Sequence, residues 1–392
     1  MRIAFYVPRA DFLKPDIGGD NAMARGLLEG LIERGHVAEV VSLLDPSDFD
    51  RGRISAFRLA REAVSVRRRV KRLSADTWVV YSPTDGRPDL FGWWLRPKRY
   101  LLFAAHAPDD ESPESWRSSL LAFAHRRALA RADVVSQWRP RGMDRLRAYG
   151  IPEERLRLLL PAAPPLESLP SREQARRQLD LPQEVPVVLC AGRFSTSKRG
   201  RPKKTQMMLD LIDAVADIPS EVVLLIVGDG PGRNLLERKA SEVAPPGRVR
   251  IMGPAGHAEM GVFYAACDIY AYPTWKDYTW VSVLEAQSCG RPVVTMRTRS
   301  AELSVEDGRT GLLAQDMSEF RSQLAALARD RPRRESMGRA AGEYVARAHT
   351  MDARVRQMED LLLGRSEREL PSAPAEAPSG AGPRDLLSAD PS

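Results

Sequence analysis

The sequence predicts an α/β protein with two doubly wound, Rossmann-like domains that face each other across a cleft. Its 392 residues are enough for two buried cores. In both halves, short β-branched runs alternate with helical stretches, a pattern typical of parallel sheets covered by helices on both faces. The proline-rich segment from Pro161 to Pro170 lies between the halves, so residues 161–184 are interpreted as the link between the domains.

The first domain is predicted to span residues 1–165. Its opening strand is expected at residues 3–7, and a helix from Asp20 to Arg34 follows it. Further strands are predicted at residues 37–43, 76–81, 100–105 and 133–136. Because ligands of open α/β sheets bind beyond the carboxyl ends of the strands, two such domains place a site in the cleft between them.

The second domain is predicted to span residues 183–345. Its strands are expected at residues 187–191, 222–227, 248–252, 269–272 and 293–296, and its helices at 207–216, 234–243 and 281–287. Residues 346–364 predict a C-terminal helix that returns towards the first domain. Residues 365–392 are rich in Pro, Ala, Ser and Gly and are expected to form a disordered tail.

Composition narrows the class of protein further. No apolar run is long enough to span a bilayer, and residues 1–12 do not have the pattern of a signal peptide. The scattered cysteines Cys190, Cys267 and Cys289 indicate buried thiols in a reducing compartment, so a cytoplasmic protein is expected. Nucleic acid is not an expected partner, because no basic platform interleaved with aromatic residues is present.

The densest basic stretch, Arg58 to Arg72, has two interpretations. Five apolar residues are interleaved with its arginines and lysines, so a helix with a basic face could lie on acidic lipid headgroups at the inner membrane face. The simpler interpretation is a solvated helix face in a protein of net charge +7.

The strongest motif runs from Asp277 to Pro292. A loop that carries Asp277 leads into a helix, Glu285 lies eight residues later on that helix, and Gly290 and Pro292 end it before a strand. A helix N-terminus offers unpaired N–H groups that bind phosphate oxygens. Two carboxylates beside such an anion site are useful as acceptors of hydrogen bonds from sugar hydroxyls, so the motif predicts a site for a phosphorylated sugar.

A second motif places cations at the end of a strand. Gly192-Arg193 follows the strand at residues 187–191, and a basic loop that contains Lys198 and Lys204 comes next. Fixed cations at this position can stabilise a departing phosphate in the transition state. Lys198 has the expected spacing from Arg193, whereas Lys204 lies nearer the next helix and is slightly favoured.

Three weaker signals also lie after strands. Gly18-Gly19 opens a helix and lets the backbone approach a ligand, and His106 follows the strand at residues 100–105. Gly228 and Gly230 follow a third strand, and Gly253 follows a fourth.

Together these residues resemble the retaining GT-B glycosyltransferases of group 1, family 4, whose hallmark is Glu-x7-Glu followed by Ala-x-x-x-Gly-x-Pro-Val-Val. Asp277 replaces the first Glu here, which puts the donor sugar or its orientation in doubt. The resemblance implies that Glu285 holds the ribose and that Asp277 and His106 contact the donor sugar. It further implies that the remaining residues contact or shape the donor site through their backbone or side chains: Gly18, Gly19, Arg193, Lys198, Lys204, Gly228, Gly230, Gly253, Tyr278, Thr279, Trp280 and Val281.

By this resemblance the chain is predicted to be a retaining glycosyltransferase that acts without a metal or other cofactor. A uridine diphosphate sugar is favoured over a guanosine diphosphate sugar as donor, and the acceptor is expected to be a hydroxyl of a small molecule, natural product or lipid. Two alternatives remain open. The chain could be a non-catalytic nucleotide-sugar sensor or partner subunit, or a GT-B nucleotide-sugar epimerase.

Overall fold

The computed structural model confirms the predicted α/β class, with two six-stranded sheets in which every strand pairs in parallel with its neighbours. It describes residues 1–9, 12, 18–81, 88–108, 115–166, 169–196, 204–218, 221–276 and 281–365, without the side chains of residues 18–21. No helix within these ranges is both long enough and apolar enough to cross a bilayer.

The first sheet has the strand order β2-β1-β3-β4-β5-β6. Its strands are β1 (Arg2–Tyr6), β2 (Val37–Ser42), β3 (Thr77–Tyr81), β4 (Arg99–Phe103), β5 (Val134–Gln137) and β6 (Leu156–Leu158). The helices of this half are α1 (Gly18–Glu33), α2 (Pro46–Asp50), α3 (Ala56–Leu73), α4 (Gly92–Leu95), α5 (Trp116–Arg131) and α6 (Pro140–Ala148). Apolar side chains of α1 cover one face of the sheet, and those of α2 to α6 cover the other.

The second sheet has the strand order β12-β11-β10-β7-β8-β9. Its strands are β7 (Val187–Ala191), β8 (Val223–Val227), β9 (Val249–Ile251), β10 (Ile269–Tyr272), β11 (Val293–Met296) and β12 (Gly311–Ala314). Its helices are α7 (Arg172–Gln178), α8 (Lys204–Ala216), α9 (Arg233–Val243), α10 (His257–Ala266), α11 (Val281–Ser288), α12 (Arg299–Glu302), α13 (Met317–Arg329) and α14 (Arg331–Ala348). Read from the other edge, this is the dinucleotide-binding order, with its switch point between β7 and β10.

The structure differs from the sequence expectations at edges and boundaries. The edge strands β6, of three residues, and β12, of four, were not predicted. Helix α8 begins at Lys204 rather than at residue 207, since its first turn is polar in sequence although Thr205 is fully buried. Instead of one helix over residues 346–364, α14 runs to Ala348 and a further helix, α15 (Met351–Leu363), begins after a break.

Helix α15 packs on the first domain. Its apolar side chains pack with those of α1 in one core, and Glu359 binds both Arg34 (2.8 Å) and His36 (2.8 Å). At the break before α15, the carbonyl of His349 accepts a hydrogen bond from the amide of Ala163 (2.9 Å) in the linker. Burial lowers the pKa of His349 to about 4, so its ring is uncharged at neutral pH. The chain therefore crosses between the domains twice, once in the linker and once at the break before α15, and the two crossings contact each other.

The carboxyl ends of the two sheets lie towards each other. Helix α6 follows the carboxyl end of β5, helix α12 follows that of β11, and an ion pair between Asp144 and Arg299 joins the two helices. Arg299 lowers the pKa of the Asp144 carboxyl by hydrogen bonding to it. The predicted cleft is therefore bordered by the carboxyl edges of both sheets, which is where ligands of such sheets bind.

Helix α11 is positioned from behind by close packing of two glycines. The backbone at Gly290, just after α11, has a φ of +70°, and its carbonyl oxygen would lie 2.1 Å from a Cβ placed on Gly338 of α14. Gly342, one turn further along α14, would place its Cβ no nearer than 3.7 Å from any neighbour. Gly338 and Gly342 thus differ in steric freedom although both lie on α14.

We predict that Gly338→Ala destabilises the protein, whereas Gly342→Ala does not. Alanine favours a helix over glycine by about 1 kcal/mol, which Gly342→Ala should gain. At position 338 the clash with backbone should outweigh that gain and leave a net loss of about 1–3 kcal/mol. Urea unfolding of both variants measures the difference, and equal midpoints would contradict the close approach of α14 to Gly290.

Candidate functional site

The residues singled out in the second domain that the structure describes lie at the carboxyl edge of its sheet, around the switch point. Gly192 and Arg193 follow β7, and α11 begins a few residues after β10, which is the neighbour of β7. The chain leaves β7 towards β8 on one side and leaves β10 towards β11 on the other. Connections that diverge in this way open a crevice at the carboxyl edge, which is the usual ligand site of such sheets.

Glycines let two loops at this edge pack backbone against backbone. The φ of Gly228 is +142°, and a Cβ there would lie 2.1 Å from the carbonyl oxygen of Gly192. Gly230, with a φ of +149°, would clash in the same way with the carbonyl of Phe194 at 2.6 Å. The amide of Gly228 donates to the carbonyl of Gly253 (3.1 Å), so the loops after β7, β8 and β9 are joined directly.

Two predicted cations lie on the loop and helix after β7. Arg193 is exposed, and among the described residues no hydrogen bond or ion pair holds its guanidinium. Lys204 begins α8, and its amide donates to the hydroxyl of Ser195 (3.3 Å). The neighbouring Thr205 hydroxyl donates to the carbonyl of Ser195 (3.0 Å), which keeps the start of α8 near Arg193. Lys198 lies outside the described residues.

Glu285 is a buried carboxylate with both oxygens already held. The Tyr264 hydroxyl donates to Oε2 (2.8 Å), and Nδ1 of His257 lies 3.3 Å from Oε1. Nε2 of His257 lies 3.1 Å from the carbonyl of Pro165 in the linker, so both ring nitrogens face oxygen acceptors.

Burial and the charge of Glu285 raise the pKa of Tyr264 well above its usual value, so its hydroxyl keeps the proton that it donates. A carboxylate oxygen has two lone-pair positions, and one contact to each oxygen leaves the others available to donors such as sugar hydroxyls. Glu285 is therefore oriented before any ligand arrives.

The first turn of α11 is held by a hydrogen bond from strand β10. The Tyr270 hydroxyl donates to the hydroxyl of Ser282 (2.8 Å), and its ring stacks on that of Tyr272 with centroids 6.0 Å apart. Val281 is the first residue of α11. The other predicted residues of this motif, Asp277, Tyr278, Thr279 and Trp280, lie outside the described residues.

The candidates of the first domain lie at the carboxyl edge of its sheet. His106 follows β4, and its carbonyl lies 2.9 Å from Nε2 of His125, which fixes the loop on α5. Gly18 and Gly19 are the first residues of α1, two residues before the predicted helix start. These three residues belong to the first sheet, whereas Glu285 and Arg193 belong to the second.

Sequence reasoning did not single out Tyr264 or assign His257 a partner. The two are seven residues apart on α10, a spacing of two turns that puts both side chains on one helix face. That spacing is visible in the sequence, but only the packing of α10 on α11 shows that this helix face contacts Glu285.

Within the described ranges no group of three His, Cys, Asp or Glu residues could hold a metal ion, and the acidic run Asp109 to Glu111 falls outside them.

Comparison with known proteins relates the second domain to one family. Residues 185–330 match the family model described as glycosyl transferases group 1. The D-inositol 3-phosphate glycosyltransferase of Corynebacterium jeikeium (strain K411) is 32% identical over 180 residues, 45% of this chain and 43% of that protein. The protein of the same name from Corynebacterium glutamicum (strain R) is 27% identical over 294 residues, 69% of this chain and 68% of that protein. The match thus spans less than half of the first of these curated relatives.

The fold is shared over nearly the whole chain. The structure of Anabaena Alr3699/HepE in complex with UDP and glucose superposes with a TM-score of 0.68 and 18% identity, over 93% of this chain and 100% of that one. This likeness confirms the GT-B architecture that the resemblance implied.

We predict that Tyr264→Phe destabilises the protein by about 1–3 kcal/mol, because it removes a donor from the buried Glu285 carboxylate. The exposed Tyr149 offers the same chemical change as a control, and Tyr149→Phe should stay within about 0.5 kcal/mol of the unaltered protein. Chemical denaturation of the three proteins measures both values. If the two variants unfold together, Tyr264 does not hold Glu285.

Proposed function

We propose, on the premise that the second domain belongs to the glycosyl transferases group 1 family, that the whole chain is a glycosyltransferase. It would move a sugar from a nucleoside diphosphate to a hydroxyl of an acceptor, with retention of anomeric configuration and without a metal. The single observation that supports this most directly is Glu285, a buried carboxylate held on both oxygens beside the switch point.

Glu285 suits the ribose of the nucleotide. Carboxylates bind vicinal hydroxyls by accepting two hydrogen bonds, and a Glu or Asp has this role in other dinucleotide-binding sheets. Because Tyr264 and His257 already fix the carboxylate, little side-chain entropy is lost when ribose binds. Gly228, Gly230 and Gly253 would form the floor beside it, where Gly253 has no atom within 4 Å of its Cβ position.

Arg193 would bind the diphosphate, with Lys204 or Lys198 as its partner. In the proposed step, the acceptor oxygen bonds to the anomeric carbon on the face from which the diphosphate departs. The acceptor's proton passes to the departing phosphate oxygen, so atoms and charge balance without an enzyme nucleophile. Cations fixed beside the leaving group stabilise the negative charge that grows there in the transition state.

The amides of Tyr278, Thr279, Trp280 and Val281 would add N–H donors to the diphosphate at the start of α11. On the sugar side, Asp277 and His106 would accept or donate hydrogen bonds to hexose hydroxyls, and Gly18 and Gly19 would line the cleft opposite. A shorter carboxylate at position 277 than in the family hallmark should alter the choice of sugar more than the binding of nucleotide.

The first ligands to test follow from the comparisons. A neighbour of the same fold was crystallised with UDP and glucose, so UDP precedes GDP in the panel. The relatives' names point to a phosphorylated inositol as the first acceptor, before other small-molecule, natural-product and lipid hydroxyls.

Two alternatives make different predictions. A non-catalytic sensor or partner subunit would bind a nucleotide sugar without releasing nucleotide in the presence of any acceptor. A nucleotide-sugar epimerase would change the sugar without transferring it.

We predict that the protein binds one nucleoside diphosphate selectively and that Glu285→Gln weakens this binding about 10- to 100-fold. Loss of hydrogen bonds to a charged acceptor costs about 1.5–3 kcal/mol, and 1.4 kcal/mol is a factor of ten in affinity. Calorimetric titration with UDP, GDP, ADP and CDP measures the affinity of both proteins, and the exposed Glu237→Gln serves as the control. Absence of binding to every nucleotide would refute the proposed site.

We predict that Arg193→Ala lowers kcat about 10²- to 10³-fold, as is usual when one charge-stabilising donor is removed from the transition state. The exposed Arg238→Ala should leave turnover unchanged. Nucleotide release from the donor measures the rate, and NMR of the anomeric proton in the product tests retention. Undiminished turnover in Arg193→Ala would end its assignment, and a product of inverted configuration would end the mechanism.

A further inference from the structure

The first domain carries all of the protein's excess positive charge. Residues 1–165 contain 28 of the 59 Lys and Arg residues but 21 of the 52 Asp and Glu residues, whereas residues 166–392 contain 31 of each. Within residues 51–165 the balance is 23 basic against 12 acidic residues. This region includes α3 and α5, which lie on the same face of the first sheet.

The outward face of α3 carries apolar residues where a solvated helix would carry polar ones. Val66 and Leu73, seven residues apart, are buried against the sheet. Phe57 and Val64 are also seven residues apart, on the opposite face, and are 78% and 51% exposed. Arg61, Arg68 and Lys71 fall within about half a turn of that face at 100° per residue and are exposed.

Helix α5 repeats this arrangement. Trp116, Leu120 and Phe123 follow the helical spacing i, i+4, i+7 and are 60%, 41% and 39% exposed. Arg127 continues the same stripe one turn later, and its guanidinium lies over the Phe123 ring at 5.2 Å. Scattered exposed apolar residues are ordinary, but two aligned stripes on one face of a domain are not.

Helix α2, which precedes α3 in the chain, and helix α4 both pack against α5. The ring of Phe49 on α2 packs edge-on against Trp116 at 5.6 Å, and the Ser118 hydroxyl donates to Asp50 at 2.8 Å. On α4, Trp93 packs edge-on against Phe123 at 5.5 Å. We call this face, formed by the outward residues of α3 and α5, the α3–α5 surface.

We propose that the α3–α5 surface binds the headgroup layer of an anionic lipid bilayer. Aromatic and aliphatic side chains enter the boundary between headgroups and acyl chains, while arginines and lysines beside them meet lipid phosphates. Their alkyl stems cover apolar surface and their charged ends reach outward, as Arg127 does over Phe123. A second copy of the chain is a poorer occupant, because it would bring together two strongly positive surfaces.

The α3–α5 surface also borders the cleft. In a parallel sheet the helices run back against the strands, so α3 and α5 both begin at the carboxyl edge, and Phe57 and Trp116 lie in their first turns. A bilayer bound here would lie at the mouth of the cleft on the first-domain side. An acceptor held in that bilayer would therefore reach the cleft without leaving the lipid.

The test is co-sedimentation of the full chain with vesicles, which does not depend on turnover. Vesicles of phosphatidylcholine with about one-third phosphatidylglycerol should bind it at least about tenfold more tightly than pure phosphatidylcholine vesicles. Binding should weaken as salt rises from 0.1 M to 1 M, since the Debye length falls from about 10 Å to about 3 Å. Equal binding to both vesicles, or to neither, would overturn the proposal.

Two variants separate charge from apolar insertion. Arg61→Glu/Arg68→Glu/Lys71→Glu should lose about a hundredfold in affinity, because each basic residue near an anionic surface contributes about a factor of five. Phe57→Ser/Val64→Ser should lose about tenfold while keeping its preference for anionic lipid. The charge-matched control, Arg329→Glu/Arg333→Glu/Arg339→Glu, changes exposed residues of α13 and α14 in the second domain and should bind as the unaltered protein does.

Unchanged melting temperatures would show that the variants remain folded. If the control loses as much affinity as the α3 variant, overall charge rather than this surface is responsible, and the proposal fails. Sedimentation equilibrium without lipid tests the other occupant. A dimer that dissociates in the Phe57→Ser/Val64→Ser variant would assign the surface to a second copy of the chain instead.

Discussion

The order of strands in the second sheet is the constraint from which the candidate site follows. Because β7 and β10 are neighbours whose connections leave in opposite directions, a crevice opens at the carboxyl edge between them. Arg193 and the start of α11 lie on the two sides of that gap. The positive φ of Gly228 and Gly230 allows the next loop to pack directly on the first, so the gap is bordered by backbone rather than by bulky side chains.

Burial of a carboxylate beside this gap would be costly without partners, and helix α10 supplies two of them. Tyr264 and His257 hold Glu285 from α10, while the Gly290–Gly338 contact fixes the end of α11 from α14. His257 also reaches the carbonyl of Pro165. The orientation of Glu285 is therefore linked, through His257, to the segment that connects the two domains. A change in the relative position of the domains would alter the orientation of the Glu285 side chain.

Much of the fold was predictable from the sequence. The bounds of strands were predicted most accurately where the strands are buried. The strands at Val187–Ala191, Ile269–Tyr272 and Val293–Met296 were predicted to the residue, since strands buried on both faces appear as continuous apolar runs. The edge strands β6 and β12 were missed, although the equally short edge strand β9 was predicted. The start of α8 was misplaced because Thr205 is polar in type but buried in fact, and its hydroxyl satisfies a carbonyl that no sequence pattern names.

The sequence by itself determined the class of fold, the two-domain organisation and the motif that carries Glu285, because periodicity, proline-rich breaks and helix ends are local properties of the chain. Only the tertiary structure decided which side chains surround that motif. Tyr264, His257 and Pro165 are 21, 28 and 120 residues from Glu285 in sequence, and packing of helices on parallel sheets brings them together. The same holds for the α3–α5 surface, since a helical pattern identifies two faces but only the packed protein shows which face is left exposed.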